Sequence, residues 1–263
     1  VNVVCPGFIA TDRDGDAAAA LAGRLADADL RVRGAALDVT DAEAFGEIAA
    51  RLESERGGID LLFNNAGIGL AGELRDVSLE DWRRVMDVNV FGVVNGIHAV
   101  YPRMVARGRG QIVNTGSGAG LVPRPGMVPY AASKYAVVGL STSLRGEAAT
   151  LGVRVNVVCP GFIATDIQRR TVYRNLDQDE LLASIPIKAM SAEQCAQVVL
   201  RGAMRDRAII PVTGLTRAEW LIYRWAPWLS GIFTRKRADA FRAHRGNAAP
   251  LDTNAKANAN VGG

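Results

Sequence analysis

The sequence has few of the residues that build disulfide frameworks, metal centres or membrane spans. Its 263 residues include only three cysteines, Cys5, Cys159 and Cys195, and two histidines, His98 and His244. The cysteine spacing matches neither a zinc site nor a disulfide pattern, so we predict no metal site and a reducing, cytoplasmic location. No apolar run approaches the roughly 18 residues that a membrane-spanning helix needs.

The composition is that of a globular chain with one unusual segment. The apolar fraction is 49% and the charged fraction is 22%, which are ordinary values for a chain long enough to form one large α/β domain. The net charge of +4 is concentrated between residues 216 and 245, where seven Arg and Lys residues and two acidic residues give +5. The remainder is close to neutral, which argues against a nucleic-acid-binding face on the main domain.

Residues 111–144 carry the pattern around which the rest of the chain is organised. Tyr130 opens a helical pattern and Lys134 follows four residues later, so both side chains lie on one helix face. A neighbouring ammonium favours the phenolate and lowers the tyrosine pKa, which suits proton transfer at a carbon–oxygen centre. Ser117, in the turn after the preceding strand, is placed to hydrogen-bond the same oxygen. The Tyr-x-x-x-Lys pattern by itself also occurs by chance on many helices.

Three further motifs, in order and spacing, make this pattern specific. Asn64-Asn65-Ala66-Gly67 follows the apolar run IDLLF, Asn89 stands in DVNVFG, and the segment CPGFIATD at 159–166 follows VRVNVV. Together with the serine, tyrosine and lysine, these motifs resemble the short-chain dehydrogenase/reductase family over about residues 8–213. The resemblance implies a Rossmann-like, doubly wound parallel α/β sheet. It also implies an oligomeric enzyme that uses NAD or NADP to interconvert a secondary alcohol and a ketone.

The resemblance also assigns the residues of the site. It implies a catalytic group made of Asn89, Ser117, Tyr130 and Lys134. The matching asparagine of the family holds a water that relays protons to the lysine. Besides the tyrosine and the lysine, the residues implied to hold the cofactor are Asp12, Asp38, Val39, Asn65, Ala66, Gly67, Pro160, Gly161, Ile163 and Thr165. Ile163 would donate its backbone N–H to the nicotinamide carboxamide, and Thr165 would donate its hydroxyl.

Several of the same residues can also have purely structural roles, and these alternatives stay open. Asp38 also lies at the start of a helix, where Thr40-x-x-Glu43 forms a capping box. Asn89 interrupts an apolar helix stripe and can equally be a hydrogen-bonded core amide. The asparagines of 64–67 can hold neighbouring strands together, and we interpret the glycines of 116–120 as a tight turn.

The start of the sequence departs from the family pattern. Residues 1–12 read VNVVCPGFIATD, which is identical with residues 155–166, and they stand where the family places its first strand, Gly-x-x-x-Gly-x-Gly turn and first helix. That turn brings backbone N–H groups to the cofactor pyrophosphate. Only eleven residues precede Asp12, fewer than a parallel crossover needs, so we expect the first strand and helix to be missing. Because of the identity we interpret 1–12 as an anomalous duplicated segment. Since position 1 is Val, we favour a truncated or rearranged reading frame, or a misassembled sequence, over a purposeful permutation.

The missing glycine turn leaves two classes of function open. The first is the enzyme described above, in which the carboxylate of Asp12 favours the ribose hydroxyls of NAD and Arg13 keeps NADP open. The second is a non-catalytic remnant or partner subunit that does not bind dinucleotide.

Hydrophobic periodicity predicts the remaining elements. We predict strands at residues 31–37, 59–63, 110–115, 153–158 and 208–212. We predict helices at 13–28, around 45–52, from Ser78-x-x-Asp81 to about 106, after Tyr130, and from Ser191-x-x-Gln194 to about 205. The segment 167–190 is polar and irregular, and the resemblance implies that it is a variable substrate lid.

Beyond residue 213 the family pattern gives way to a basic, aromatic extension at 214–246. Its aromatic residues alternate with arginine and lysine, and they are Trp220, Tyr223, Trp225, Trp228 and Phe233. Such a segment can lie on an anionic membrane surface, or it can pack on its own domain or on a second subunit. The apolar residues that the lid and the extension do contain favour a hydrophobic small-molecule substrate, and we predict a disordered tail at 247–263.

Overall fold

The structure, a computed structural model, describes residues 3–4, 34–185 and 188–246. The strands in these ranges are β1 (Val3–Val4), β2 (Leu61–Asn64), β3 (Leu70–Ala71), β4 (Gly110–Thr115), β5 (Val153–Cys159), β6 (Val172–Tyr173) and β7 (Ile209–Pro211). Five of them form one parallel sheet in the order β1-β2-β4-β5-β7, and β3 pairs with β6 in a separate parallel pair.

Helices connect these strands. They are α1 (Ala42–Arg56), α2 (Leu79–Met86), α3 (Gly92–Ala106), α4 (Val128–Ala148), α5 (Ile167–Arg170), α6 (Gln178–Ala183), α7 (Ala192–Met204), α8 (Gly214–Trp225) and α9 (Pro227–Arg242). A π-helical segment, Asp87–Phe91, joins α2 to α3 without a break, and single 3-10 turns lie at Leu74–Asp76 and Gly118–Gly120. In the part of the chain that the structure describes, no helix is long and apolar enough to cross a membrane.

The sheet is covered on both faces, which confirms the predicted Rossmann-like parallel fold. Ile112 and Val155 are fully buried and belong to the core cluster formed with α1 and α3. Val113 and Val158 face the opposite side of the sheet and pack with residues of α7. Parallel strands covered on both faces need continuous apolar sequences, and β4 and β5 have them.

Two of the three predicted capping boxes form, those that begin at Ser78 and at Ser191. The Ser78 hydroxyl accepts from the Asp81 backbone N–H at 3.1 Å, and the Asp81 carboxylate accepts from the Ser78 backbone N–H at 3.0 Å. Ser191 and Gln194 make the same pair of hydrogen bonds at the start of α7. These boxes explain why the two helices begin where the sequence predicts.

The beginning of the chain differs from the prediction in two respects. Val3–Val4 pairs in parallel with Leu61 and Leu62, so the duplicated segment contributes a two-residue strand beside β2. Asp12 and the helix predicted at 13–28 lie outside the described residues. The strand predicted at 31–37 is wrong over 34–37, which have no regular secondary structure. Those four residues include Gly and Ala, which are depleted in strands.

The start of α1 is also displaced from its predicted cap. Asp41 is the N-cap, and its carboxylate accepts from the Ala44 backbone N–H at 2.9 Å. The capping box predicted at 40–43 is therefore wrong. Thr40 instead donates from its backbone N–H and its hydroxyl to the Asp38 carboxylate, at 2.9 and 2.8 Å.

The lid segment is more regular than its sequence suggests. It contains α5, β6 and α6. Strand β6 pairs with β3, which is the strand that follows the turn after β2. Arg174 next to β6 forms two hydrogen bonds with Asp81 at 2.6 and 3.0 Å. The lid is thus held to the first turn of α2 and to β3.

One face of the C-terminal extension packs on the main domain. Trp220 and Tyr223 lie against the core cluster that contains Val137 and Val157. Glu219 binds two arginines, Arg124 of the loop before α4 and Arg237 of α9. Farther along, Arg242 pairs with Glu73 at 2.6 Å, and Arg245 pairs with Asp76 at 2.9 Å. The tail predicted at 247–263 lies outside the described residues.

Candidate active site

The carboxyl ends of β2, β4 and β5 meet at one edge of the sheet, where open parallel sheets bind ligands. The turn at 64–67 follows β2, Ser117 follows β4, and Pro160 follows β5. The Gly118 backbone N–H donates to the Pro160 carbonyl at 2.7 Å, which ties two of these segments together. The structure therefore brings the predicted motifs to one place.

Helix α4 supplies the tyrosine and the lysine to this edge. The Lys134 ammonium lies 5.8 Å from the centre of the Tyr130 ring and donates to the Thr115 carbonyl at 2.9 Å. Ser117, in the turn after β4, acts on the Tyr130 phenol and lowers its pKa. Ser117, Tyr130 and Lys134 thus form one group, as the spacing of the motifs predicts.

Burial sets the ionisation of this group. Loss of hydration raises the pKa of the Tyr130 phenol, and the hydrogen bond with Ser117 offsets part of that rise. The Lys134 side chain is only 3% exposed, and burial lowers its pKa to about 8. The lowered tyrosine pKa expected from the sequence is therefore wrong in this structure, because the loss of hydration outweighs the effect of Ser117.

Glycines permit the close packing of the site. A Cβ atom on Gly120 would lie 2.5 Å from the Lys134 carbonyl oxygen, so only glycine allows the turn after β4 to touch α4 there. A Cβ atom on Gly67 would lie 3.2 Å from Asn89 Oδ1 and 3.3 Å from Lys134 Nζ. The glycines of 116–120 thus serve as a packed turn, in agreement with their interpretation from the sequence.

Asn89 lies in the π-helical segment and is fully buried. Its Oδ1 accepts from the Ile68 backbone N–H at 2.8 Å, and its Nδ2 donates to the Ile68 carbonyl and to Ser133 Oγ, both at 3.0 Å. Ser133 in turn donates to the Tyr130 carbonyl at 2.7 Å. Asn89 is thus a satisfied core amide, and its role in a proton relay stays a prediction.

The sequence analysis missed Ser133, which connects Asn89 to the first turn of α4. It also missed the Thr115 carbonyl that receives the Lys134 ammonium, and Thr216 behind the loop after β5. Ser133 carries a signal in the sequence, because it immediately precedes the lysine and lies three residues after the tyrosine. The Thr115 carbonyl and the Thr216 side chain carry no such signal in the sequence.

The residues predicted near the adenine end of the cofactor have structural partners. Asp38 is exposed, and its carboxylate closes the turn with Thr40. Val39 is buried, and its carbonyl accepts from Asn95 Nδ2 at 2.9 Å. Both lie beside the start of α3, because a Cβ atom on Gly92 would meet the Val39 side chain at 2.7 Å.

The turn after β2 joins neighbouring strands. Asn64 Nδ2 donates to Asn114 Oδ1 at 2.9 Å, and Thr115 Oγ1 donates to Asn65 Oδ1 at 3.0 Å. Ala66 is buried. The interpretation of this turn as a link between strands is therefore confirmed, and its contact with a cofactor stays a prediction.

The loop after β5 is supported from behind by the extension. A Cβ atom on Gly161 would lie within 2.6 and 2.7 Å of the hydroxyls of Thr216 and Thr213. Ile163 is buried and forms a β-bridge with Met190. Thr165 is exposed, and its backbone N–H donates to the Ile163 carbonyl at 3.0 Å.

A separate open cavity of about 490 Å³ lies between the turn after β3 and α9. Glu73, Gly126 and Phe241 are among the residues that line it, whereas Ser117 and Lys134 are not.

Comparison with known proteins gives consistent matches. The family model for short chain dehydrogenase matches residues 7–175. The 2-(R)-hydroxypropyl-CoM dehydrogenase of Xanthobacter autotrophicus is 41% identical over 189 residues, which are 70% of this chain and 74% of that protein. The inactive 2-(S)-hydroxypropyl-CoM dehydrogenase 2 of the same organism is 41% identical over 180 residues, which are 67% of this chain and 77% of that protein.

Solved structures give the same picture. A short chain dehydrogenase/reductase from Burkholderia phymatum in complex with NAD is 27% identical, with a TM-score of 0.71 over 95% of this chain and 88% of that chain. A gluconate 5-dehydrogenase from Burkholderia cenocepacia in complex with NADP and tartrate is 27% identical, with a TM-score of 0.68 over 82% of this chain and 85% of that chain. With its parallel sheet, its Ser-Tyr-Lys group and a match over more than half of its length, this chain belongs to the short-chain dehydrogenase/reductase family of oxidoreductases.

Proposed function

We propose that this protein uses NAD or NADP to interconvert a secondary alcohol and a ketone, with Tyr130 as general acid and base. The observation that carries the proposal is the Lys134 ammonium, which is buried 5.8 Å from the centre of the Tyr130 ring at the carboxyl edge of the sheet, where the turn with Ser117 also lies. A group of this kind suits proton transfer to or from an oxygen atom that is bonded to the reacting carbon.

The proposed chemistry places the substrate oxygen between Ser117 and Tyr130. The serine hydroxyl orients this oxygen, and the phenol gives it a proton when a ketone is reduced. In the oxidation direction Tyr130 takes the proton from the alcohol, and Lys134 stabilises the phenolate that is left. The nicotinamide supplies or accepts the hydride when it is bound.

The residues of the nicotinamide end of the site fit such a cofactor. Ala66 and Gly67 are small, and the missing side chain at Gly67 keeps the space beside Lys134 Nζ open. Pro160 and Gly161 pass close to the Ser117 turn. We propose that these residues, with Asn65, Ile163 and Thr165, hold the ribose and nicotinamide. Asp38 and Val39 hold the adenine, and Lys134 binds the ribose hydroxyls.

The choice between NAD and NADP rests on the sequence. Asp12 favours NAD slightly, and Arg13 next to it keeps NADP open. One similar structure contains NAD and another contains NADP. A small-molecule alcohol or ketone substrate, a homo-oligomeric state and a cytoplasmic location belong to the same proposal.

A second candidate function is a non-catalytic subunit that does not bind dinucleotide. One observation favours it, because a relative with 41% identity bears the name of an inactive dehydrogenase.

Titration with NADH or NADPH, followed by cofactor fluorescence, separates the two candidates. Saturable binding supports the enzyme, and the absence of binding at millimolar cofactor supports the subunit. Turnover of a panel of secondary alcohols and ketones is then compared with that of Tyr130→Phe, for which we expect a loss of roughly 10²–10⁴-fold. Tyr135→Phe, on the same helix and partly exposed, is the matched control and keeps full activity. Equal turnover by the wild type and Tyr130→Phe would contradict the assigned role.

A further inference from the structure

The outer face of α8 carries an apolar stripe that the structure leaves in solvent. Leu215, Ile222 and Trp225 are 48%, 43% and 79% exposed. They recur at i, i+7 and i+10, a spacing that places them on one side of a helix. The opposite side, with Thr216, Trp220 and Tyr223, is the one that packs on the domain. The exposed stripe is therefore not needed to hold the extension in place.

A second stripe continues on α9. Trp228 and Ile232 are 72% and 53% exposed and are spaced at i and i+4. The two stripes meet where Ala226 and Pro227 join the helices, so Trp225 and Trp228 stand at the same bend. We name the five residues Leu215, Ile222, Trp225, Trp228 and Ile232 the tryptophan corner. Exposed apolar side chains that are grouped at one bend in this way mark an interaction site.

The two helices of the tryptophan corner also carry exposed positive charge. Arg217, Arg224, Arg235 and Lys236 are exposed, and none of them forms a salt bridge with any residue in the described ranges. The acidic residues of the same two helices are engaged elsewhere. Glu219 is held by Arg124 and Arg237, and Asp239 pairs with Arg242. The surface around the corner is therefore apolar and cationic.

We propose that the tryptophan corner docks this protein on an anionic lipid bilayer. Tryptophan side chains prefer the boundary between headgroups and acyl chains, and arginine and lysine bind the phosphates of the same headgroups. Two short helices that are joined at a bend can lie flat in that boundary, with their apolar stripes facing the acyl chains.

The charge distribution favours a bilayer over a second copy of the chain. A two-fold contact places the same patch of both subunits face to face. At the tryptophan corner such a contact would bring the four cations of one copy against the four of the other, and like charges at an interface oppose association. An anionic bilayer instead neutralises all four cations.

Docking in this orientation would bring the membrane close to the candidate active site. The inner face of α8 contacts the active-site loops, because Thr216 lies behind Gly118 and Gly161. One helix diameter, about 10 Å, thus separates the proposed lipid contact from those loops. The inference rests on the surface alone and holds whether or not the chain binds a cofactor.

Sedimentation of the full chain with vesicles tests the proposal. One set of vesicles is pure phosphatidylcholine, and the other contains roughly one-third phosphatidylglycerol, which gives an anionic surface. We expect the wild type to sediment with the anionic vesicles and its tryptophan emission to shift to shorter wavelength. Trp225→Ala with Trp228→Ala should reduce the partition coefficient by more than tenfold. Arg235→Gln with Lys236→Gln should reduce it by roughly fivefold per charge.

Matched controls distinguish docking through the tryptophan corner from nonspecific hydrophobic binding to the vesicles. Leu79 and Met204 are 73% and 78% exposed on other helices, so Leu79→Ala with Met204→Ala removes two apolar side chains of similar fractional exposure and should bind like the wild type. Circular dichroism and thermal unfolding check that every variant is folded. Absence of wild-type sedimentation with anionic vesicles would overturn the proposal, as would equal sedimentation of the wild type and the tryptophan variant. A wild-type dimer that Trp225→Ala with Trp228→Ala converts to a monomer, without vesicle binding by either, would assign the surface to a second copy.

Discussion

The side-chain amide of Asn89 and the backbone of Ile68 exchange two hydrogen bonds, at 2.8 and 3.0 Å. Ile68 directly follows Gly67, so these bonds join the turn after β2 to the π-helical segment. The third bond of the amide, to Ser133, continues to the first turn of α4. One buried side chain therefore ties the turn after β2 to α4, the helix that carries Lys134.

Asn89→Ala should destabilise the protein by about 2–3 kcal/mol, because it leaves the N–H and the carbonyl of Ile68 buried without their partner. Asn95→Ala is the matched control. Asn95 makes one hydrogen bond, to the Val39 carbonyl, and its loss should cost about 1 kcal/mol. Urea unfolding of both variants measures the free energy of unfolding, and equal losses would show that the Ile68 bonds contribute little.

Gly120→Ala should destabilise the protein by about 1–3 kcal/mol, because its Cβ would lie 2.5 Å from the backbone oxygen of Lys134, which cannot rotate away. The same change should displace the lysine and lower any turnover. Gly139→Ala, in the middle of α4, meets no atom within 4 Å and should stabilise the helix by about 0.5–1 kcal/mol. Opposite shifts in melting temperature are therefore expected for two identical substitutions. A gain in stability for Gly120→Ala would contradict the packing described here.

Stability should rise with pH between about 8 and 10.5 because of Lys134. Its pKa is lowered by burial from 10.5 to about 8, so below pH 8 both the folded and the unfolded states carry the charge and the burial cost is fully present. Above pH 8 the folded state has released the proton and the unfolded state still holds it, so folding becomes more favourable as pH rises. The gain approaches about 3 kcal/mol at most.

Lys134→Met should remove this rise, because methionine has no proton to release. The exposed Lys236, changed to Met in the same way, should leave it intact. Unfolding in urea at a series of pH values compares the three proteins. Parallel stability curves for the wild type and Lys134→Met would show that the ammonium of Lys134 is not desolvated.

The two capping boxes should respond differently to acid. Burial tends to raise the pKa of Asp81, but hydrogen bonds from Arg174 and Ser78 outweigh it and leave the pKa below its usual value. Asp81→Ala should therefore cost about 1–2 kcal/mol at neutral pH. That difference from the wild type should disappear as pH falls through the lowered pKa, because a protonated Asp81 no longer attracts the arginine.

Gln194→Ala provides the uncharged comparison, since Gln194 closes the box of α7 with an amide. Its cost should stay below about 1 kcal/mol and should not change with pH. Denaturation curves recorded between neutral and acid pH measure both variants. A cost of Asp81→Ala that persists at the lowest pH would indicate that Asp81 acts through shape and not through charge.

The features that the sequence predicted well have a local signal. The apolar runs of β2, β4 and β5, the boxes at Ser78 and Ser191, and the spacing of Tyr130 and Lys134 each depend on residues close together in the chain. The location of the candidate site at one edge of the sheet followed from the same signals, because parallel strands bring their carboxyl ends to one edge. The roles of its residues came from the resemblance to the family.

The features that the sequence did not predict depend on distant partners or on burial. The π-helical segment around Asn89 has the same apolar pattern as an ordinary helix. The pairing of β3 with β6 joins two-residue strands about one hundred positions apart, too short for any periodic signal. The direction of the Tyr130 pKa shift depends on how completely the phenol loses its water, and residue spacing carries no information about that.

The pairing of β3 with β6 anchors the lid through main-chain atoms, since the Val172 N–H donates to the Gly69 carbonyl at 3.1 Å and the Arg174 N–H donates to the Ala71 carbonyl at 2.8 Å. Every amino acid except proline offers the same atoms. Substitutions can therefore change the side chains of this segment during evolution, while the pairing of β6 with β3 is kept. Relatives whose segments differ in side chains, and therefore in the substrates they select, would then share this main-chain attachment.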